Sequence, residues 1–156
     1  MNGQTAISGS LALNSTPHVI TIPASGPVRT RKLRVAAYAR VSSNSEDQLH
    51  SFAAQNAYYT ELITGNPEWE FVDVYADEGI TGTSARKRKD FLKMVRDCQK
   101  GKIDLVITKS VSRFCRNTLD GLNYVRRLKQ YGVGVYFEKE NVNTLYMDNE
   151  MILTFM

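Results

Sequence analysis

Between Leu33 and Phe137 the chain repeats one pattern: a short apolar run, a polar loop, then a stretch with helical period. Leu33 to Val41 is a mostly apolar run that ends in Ser-Ser-Asn-Ser, which predicts a buried strand followed by a loop. From Gln48 onward, Leu49, Phe52, Ala53, Tyr59, Leu62 and Ile63 fall on one helical stripe, which Gly65-Asn66-Pro67 stops. Trp69 to Tyr75 alternates as a second strand. Phe91, Leu92, Val95 and Cys98 mark a second helix closed by Gly101, and Ile103 to Thr108 a third strand. Leu119, Leu122, Val125 and Leu128 predict a third helix with those four residues in the core, capped by Asn117 or Thr118 and ended before Gly132. Val133 to Phe137 reads as a fourth strand. This order specifies an α/β class, a mainly parallel central sheet of about four to five strands with helices on both faces.

The flanks read differently. Residues 1–32 are rich in Ser, Thr, Gly and Pro and lack helical period, so they are expected to form a flexible tail ahead of a domain over 33–147. From about Asp148 the apolar residues of another helix run straight into the last residue, and residues 148–156 are expected to be the start of a longer helix in a longer protein. No stretch approaches the ~18 uninterrupted apolar residues of a membrane span. The first thirty residues lack the basic start and apolar centre of a secretory signal, so the expected compartment is the cytoplasm. Cys98 and Cys115 have no CxxC partner, and His18 and His50 have no companion at metal-ligand spacing, so neither a disulfide framework nor a metal site is expected.

Charge is unevenly spread. Residues 41–85 contain eight acids and no Lys or Arg, whereas residues 86–129 contain fourteen Lys or Arg against four acids. A basic segment of that density is the electrostatic footprint a nucleic-acid partner needs. In a parallel sheet the functional groups gather at the carboxyl ends of the strands. Three loops qualify. The first carries Arg40, Ser42, Ser43 and Asn44, the second leaves through Arg86 and Arg88, and the third brings Arg113 and Arg116, three apart before a helix and so able to face one way. No acidic cluster answers these cations on the loops.

Cations gathered without carboxylates repel one another until an anion joins them. Phosphate suits them, because the planar guanidinium binds two of its oxygens together. A hydroxyl among arginines points to phosphoryl transfer, in which the protein positions the nucleophile and stabilises charge on the transferred group. A P-loop, a dinucleotide fingerprint, a Ser-His-Asp triad and a convincing set of metal-binding carboxylates are all missing from the sequence.

The same residues resemble a known family. Tyr38-Ala39-Arg40-Val41-Ser42 is similar to the opening motif of the serine recombinases, which include resolvases, invertases and the large serine integrases and transposases. Gln55 falls where that family has a glutamine near its active site. Asp77 to Ser84 resembles the segment after the second strand, and Arg88 matches the arginine that follows it. Ser110-Val111-Ser112-Arg113-Phe114-Cys115-Arg116-Asn117 is similar to the arginine-rich motif in its large-recombinase form. The resemblance covers the chain from about Leu33 onward and implies a resolvase-like catalytic domain.

It further implies that Ser42 attacks a DNA phosphodiester to give a 5′-phosphoserine and a free 3′-hydroxyl. Arg40, Arg88, Arg113 and Arg116 would bind the phosphate, with Gln55, Ser112, Arg86 and Asn117 in supporting positions. No metal, ATP or other cofactor is implied. The implied partners are double-stranded DNA at specific attachment sites and further copies of the chain, as a dimer and then a synaptic tetramer. The sequence departs from many small resolvases at Ser112, where they carry Asp, and over Asn44 to His50. Two competing readings are a non-catalytic DNA-associated regulatory module of the same fold and a phosphatase-like enzyme. The intact Ser42 and arginines speak against the first, and the lack of a Cys-nucleophile loop or metal ligands against the second.

Overall fold

The computed structural model describes residues 31–41, 51–78 and 88–156, all within one compact unit, Arg31–Met156. Residues 1–30, where a tail is expected, and residues 42–50 and 79–87 lie outside the described residues. The elements run β1 (Leu33–Val41), α1 (Phe52–Thr64), β2 (Trp69–Glu78), α2 (Lys89–Gln99), β3 (Leu105–Thr108), α3 (Val111–Phe114), α4 (Thr118–Gln130), β4 (Gly134–Phe137), β5 (Val142–Asn143), a 3-10 turn (Thr144–Tyr146) and α5 (Asn149–Phe155). The strands form one sheet in the order β2-β1-β3-β4-β5, parallel from β2 to β4 and antiparallel only at β5.

β1 lies inside the sheet and is covered on both faces, which explains its nearly unbroken apolar run. Alternate residues go to opposite cores. Val35, Ala37 and Ala39 pack with Tyr59 and Ile63 of α1, whereas Ala36 and Tyr38 pack with α2, α4 and the buried ends of β3 and β4. On α2, Phe91, Met94, Val95 and Cys98 supply the i, i+3, i+4, i+7 stripe that a helix lays on a sheet. Each such buried side chain contributes roughly 1.5–3 kcal/mol. Ser51 caps α1 by accepting from the Ala54 amide at 3.2 Å, and Asn117 caps α4 by accepting from the Asp120 amide at 2.9 Å. β4 begins at a glycine for a steric reason: a Cβ on Gly134 would lie 2.5 Å from the Cβ of Leu145 in the 3-10 turn.

Four sequence expectations shift. Leu119, expected in the core, is 67% exposed, because the buried line of α4 runs through Gly121, Val125 and Leu128. On α1, Phe52 and Leu62 also face outward, leaving Tyr59 and Ile63 as its buried residues. The one-turn helix α3 and the short strand β5 were not foreseen; neither is long enough to show a period. Arg31, placed with the tail from the sequence, is joined to the domain through Asp104.

At the amino ends of the strands, Asp104 accepts from Arg31 Nη1 at 2.8 Å, from the Arg34 amide at 2.9 Å and from Arg34 Nε at 3.2 Å. Burial by itself pushes this carboxyl up, but the hydrogen bonds from Arg31 and Arg34 outweigh it and hold the group well below the usual carboxylate range. Asp104→Asn is expected to cost about 1.5–3 kcal/mol, the range for hydrogen bonds to a charged group. Arg31 is more than half exposed and adds little of that. A carboxyl with a depressed folded pKa stabilises fully above its unfolded value of about 3.9 and loses the contribution as pH falls through the folded value. The difference in melting temperature between wild type and Asp104→Asn should therefore be full at neutral pH and shrink below about pH 4.

Candidate active site

The strand order changes direction at β1. β2 follows on one side of it and β4 lies beyond β3 on the other, so a switch point, where a crevice is expected at the carboxyl ends, falls between β1 and β3. One cleft there is lined by Tyr38, Ala39 and Arg40 of β1, Gln55 and Tyr59 of α1, Lys109 just after β3, and Arg113 of α3. Arg40, Gln55 and Arg113 come from separate segments, and the structure brings them to one cleft. Among the described residues, no carboxylate lies within ion-pair distance of Arg40, Lys109 or Arg113. Like charges so placed raise one another's energy, and an anion entering the cleft relieves it.

Arg113 owes its position to its neighbour. Phe114 is fully buried and meets Phe91 and Phe137 edge-on, with ring centroids 5.2 and 5.6 Å apart. That anchor holds the single turn of α3, closed by the Arg113 and Phe114 amides donating to the Ser110 carbonyl, both at 3.1 Å. The turn ends at once, because Cys115 is extended at φ −131 and ψ 157. Helical i, i+3 spacing therefore does not hold between Arg113 and Arg116. Arg116 is exposed beyond the turn and does not line the cleft. Ser112 is exposed, its Oγ 3.0 Å from that of Ser110, and the Asn117 side chain serves as the α4 cap.

Arg88 sits apart from the cleft lining and is held firmly. Its guanidinium lies over the Phe91 ring, 3.7 Å from the centroid. One Nη donates to the Phe114 carbonyl, and Nε donates to the Tyr38 hydroxyl at 3.4 Å. Tyr38 in turn donates to Asp77 Oδ2 at 3.1 Å. Burial pushes the Tyr38 phenol up to about 12, despite the opposing charge of Arg88, so it remains a donor throughout the working pH range. Asp77, buried at the end of β2, also accepts the Asp90 and Phe91 amides at 2.9 Å each. It thus caps α2 from another strand, where the residue at the cap position, Arg88, supplies no side-chain bond of its own.

One carboxylate therefore fixes β1, β2 and the start of α2, and through Tyr38 it orients Arg88. Asp77→Ala is expected to destabilise the domain by about 1.5–5 kcal/mol. Roughly 0.5–2 of this comes from the lost cap and roughly 1–3 from the orphaned Tyr38 hydroxyl. Denaturant melts would measure it.

Sequence reasoning missed Lys109, Tyr59 and the bridging role of Asp77. The signal for Lys109 was present, since it directly follows the best-defined strand. The other two required knowledge of which strands are neighbours. Ser42 and Arg86 lie outside the described residues.

The family model described as Resolvase, N terminal domain, matches residues 35–156. A resolvase family site-specific recombinase from Streptococcus pneumoniae aligns at 30% identity and a TM-score of 0.63, over 79% of this chain and 83% of its own. The first ORF in transposon ISC1904 from Sulfolobus solfataricus P2 aligns at 25% identity and a TM-score of 0.52, over 77% and 75%. The N-terminal catalytic domain of TP901-1 integrase, at 21% identity and a TM-score of 0.57 over 78% and 89%, shares the fold. A search among curated proteins finds no match. With the match over residues 35–156, the resolvase-like sheet and arginines gathered at its carboxyl edge, the chain belongs to the resolvase family of site-specific recombinases, as its N-terminal catalytic domain.

Proposed function

We propose that this domain cleaves and rejoins DNA through Ser42. The Ser42 oxygen attacks a backbone phosphorus and the bond from phosphorus to the 3′-oxygen breaks. The 5′-phosphate remains on the serine, the serine proton is lost and the departing 3′-oxygen takes one up. Because one phosphoester replaces another, the bond energy is conserved for rejoining by a 3′-hydroxyl, and the reaction calls for no cofactor. Arg40 and Arg113 bind the phosphate with Gln55 beside them. Arg88 and Arg116 are further phosphate-binding residues of the reaction, with Ser112, Asn117 and Arg86 in supporting roles.

The observation that carries this reading is the cleft in which Arg40 and Arg113 lie, among the described residues, without carboxylate partners, beside the crevice between β1 and β3. Chain connectivity keeps the Cα of Ser42 within about 7 Å of that of Arg40. Arg88 reaches a phosphate only with those N–H groups not already spent on Phe114 and Tyr38.

The domain works in the cytoplasm on duplex DNA at specific attachment sites, as a dimer and then a tetramer. Among the described residues, no helix is long and apolar enough to cross a membrane. Exposed Leu119, Tyr146, Met151 and Leu153 supply apolar surface for a second copy. The test is to incubate the full-length protein with duplex carrying its attachment site, quench in denaturant, digest both components and locate the nucleotide-modified peptide by mass. The modification is expected on the peptide containing Ser42, joined to a 5′-phosphate. A modified peptide from elsewhere, or DNA retained without a covalent link, would overturn the proposal.

A further inference from the structure

Lys109 shares the cleft with Arg40 and Arg113, yet it differs from both in exposure: they are half-buried, whereas its side chain stands at the rim in solvent. The backbone beneath it is firmly placed. The Glu138 amide donates to the Thr108 carbonyl at 3.0 Å, and the Lys139 amide donates to the Lys109 carbonyl at 2.8 Å, so the end of β3 is laced to the chain leaving β4. The Tyr58 hydroxyl of α1 donates to Glu138 Oε1 at 3.3 Å. The Tyr58 ring in turn leans edge-on against Tyr59, at 5.0 Å between centroids. Glu138 is near enough to interact with the Lys109 charge, and Glu140 accepts from the Val111 amide at 3.3 Å, but among the described residues neither is within ion-pair distance of Lys109. A lysine on a rigid rim, turned to an anion site and outside ion-pair distance of every described carboxylate, has the geometry of a backbone-phosphate contact.

We infer that Lys109 is a DNA-contacting residue of this site that binds a phosphate neighbouring the one Arg40 and Arg113 hold. This rests on the proposed function of the cleft. A contact to a neighbouring phosphate is made equally before and during the reaction, so it contributes to affinity and leaves the chemical step alone. A single exposed ammonium also carries no base information, so its contribution is the same for every sequence and falls with salt.

The experiment is a titration of the full chain with a fluorescein-labelled, mixed-sequence duplex about two helical turns long, repeated between roughly 25 and 200 mM NaCl. Lys109→Gln is expected to weaken binding several-fold at low salt and to flatten the slope of log K against log salt by about 0.9, the share of one phosphate contact. Lys109→Arg should preserve both quantities. Arg40→Gln and Arg113→Gln, run alongside, separate the two ideas. If they leave affinity and slope unchanged, the cleft is not where DNA binds, and the reading on which this inference rests fails. If they weaken binding while Lys109→Gln changes neither quantity, the inference about Lys109 alone falls. In the covalent assay, Lys109→Gln should raise the DNA concentration giving half-maximal rate and keep the saturating rate within about twofold. A loss confined to the saturating rate would overturn the assignment.

Discussion

Ser42→Ala is expected to abolish the denaturant-stable link between protein and DNA at every time point and concentration, while leaving the duplex bound under native conditions. The effect should be total, because it removes the atom that bonds to phosphorus. Removing a hydroxyl also leaves the charge of the cleft untouched, so the salt dependence of native binding should match wild type. Denaturing gels with end-labelled duplex measure the link, and anisotropy measures native binding. An alanine variant that still acquires covalent DNA would place the nucleophile at another residue. A wild-type protein that binds but never links would favour a regulatory module of the same fold.

Arg113→Gln is the second large effect. Arg113 is half-buried, set by the anchored turn of α3, and no described carboxylate pairs with it. A donor held in place before the reaction needs no reorganisation when charge builds on the phosphate, and such donors are worth about 2.7–4 kcal/mol, a factor of 10²–10³ in rate. The single-turnover rate at saturating DNA should fall by that factor, with the melting temperature nearly unchanged because Phe114, not Arg113, anchors the turn. Arg113→Lys should recover only part of the loss, since an ammonium cannot grip two phosphate oxygens in one plane. A loss below about tenfold would mean that Arg113 does not stabilise the transition state.

The contrast with Lys109 and Asp77 makes these effects separable. Arg113 should act on the saturating rate as well as on binding, Lys109 on binding and its salt dependence alone, and Asp77 on folding and on the setting of Arg88. Three residues within one neighbourhood are thereby expected to give three different combinations of observables. A nonspecific loss of structure would move all of them together.

Much of this was legible before any coordinates. β1 was readable because a covered parallel strand is apolar on both faces, and α2 because its buried residues recur at helical spacing. Leu119 misled because an apolar residue in the first turn of a helix can point outward at little cost, and periodicity alone does not say where the buried line begins. Arg113 and Arg116 are spaced as on a helix, yet the turn gives way to extended chain at Cys115, between them, which local period does not reveal.

The sequence by itself determined the order of elements, the class of fold and the kinds of side chain waiting at each strand end, because period, caps and turn residues act over a few positions along the chain. Only the tertiary structure decided which cations share a cleft. That depends on β1 lying beside both β2 and β3, on Asp77 reaching across to the start of α2, and on a buried phenylalanine aiming its neighbour. Those contacts join residues far apart in the chain, and packing, not local propensity, selects them.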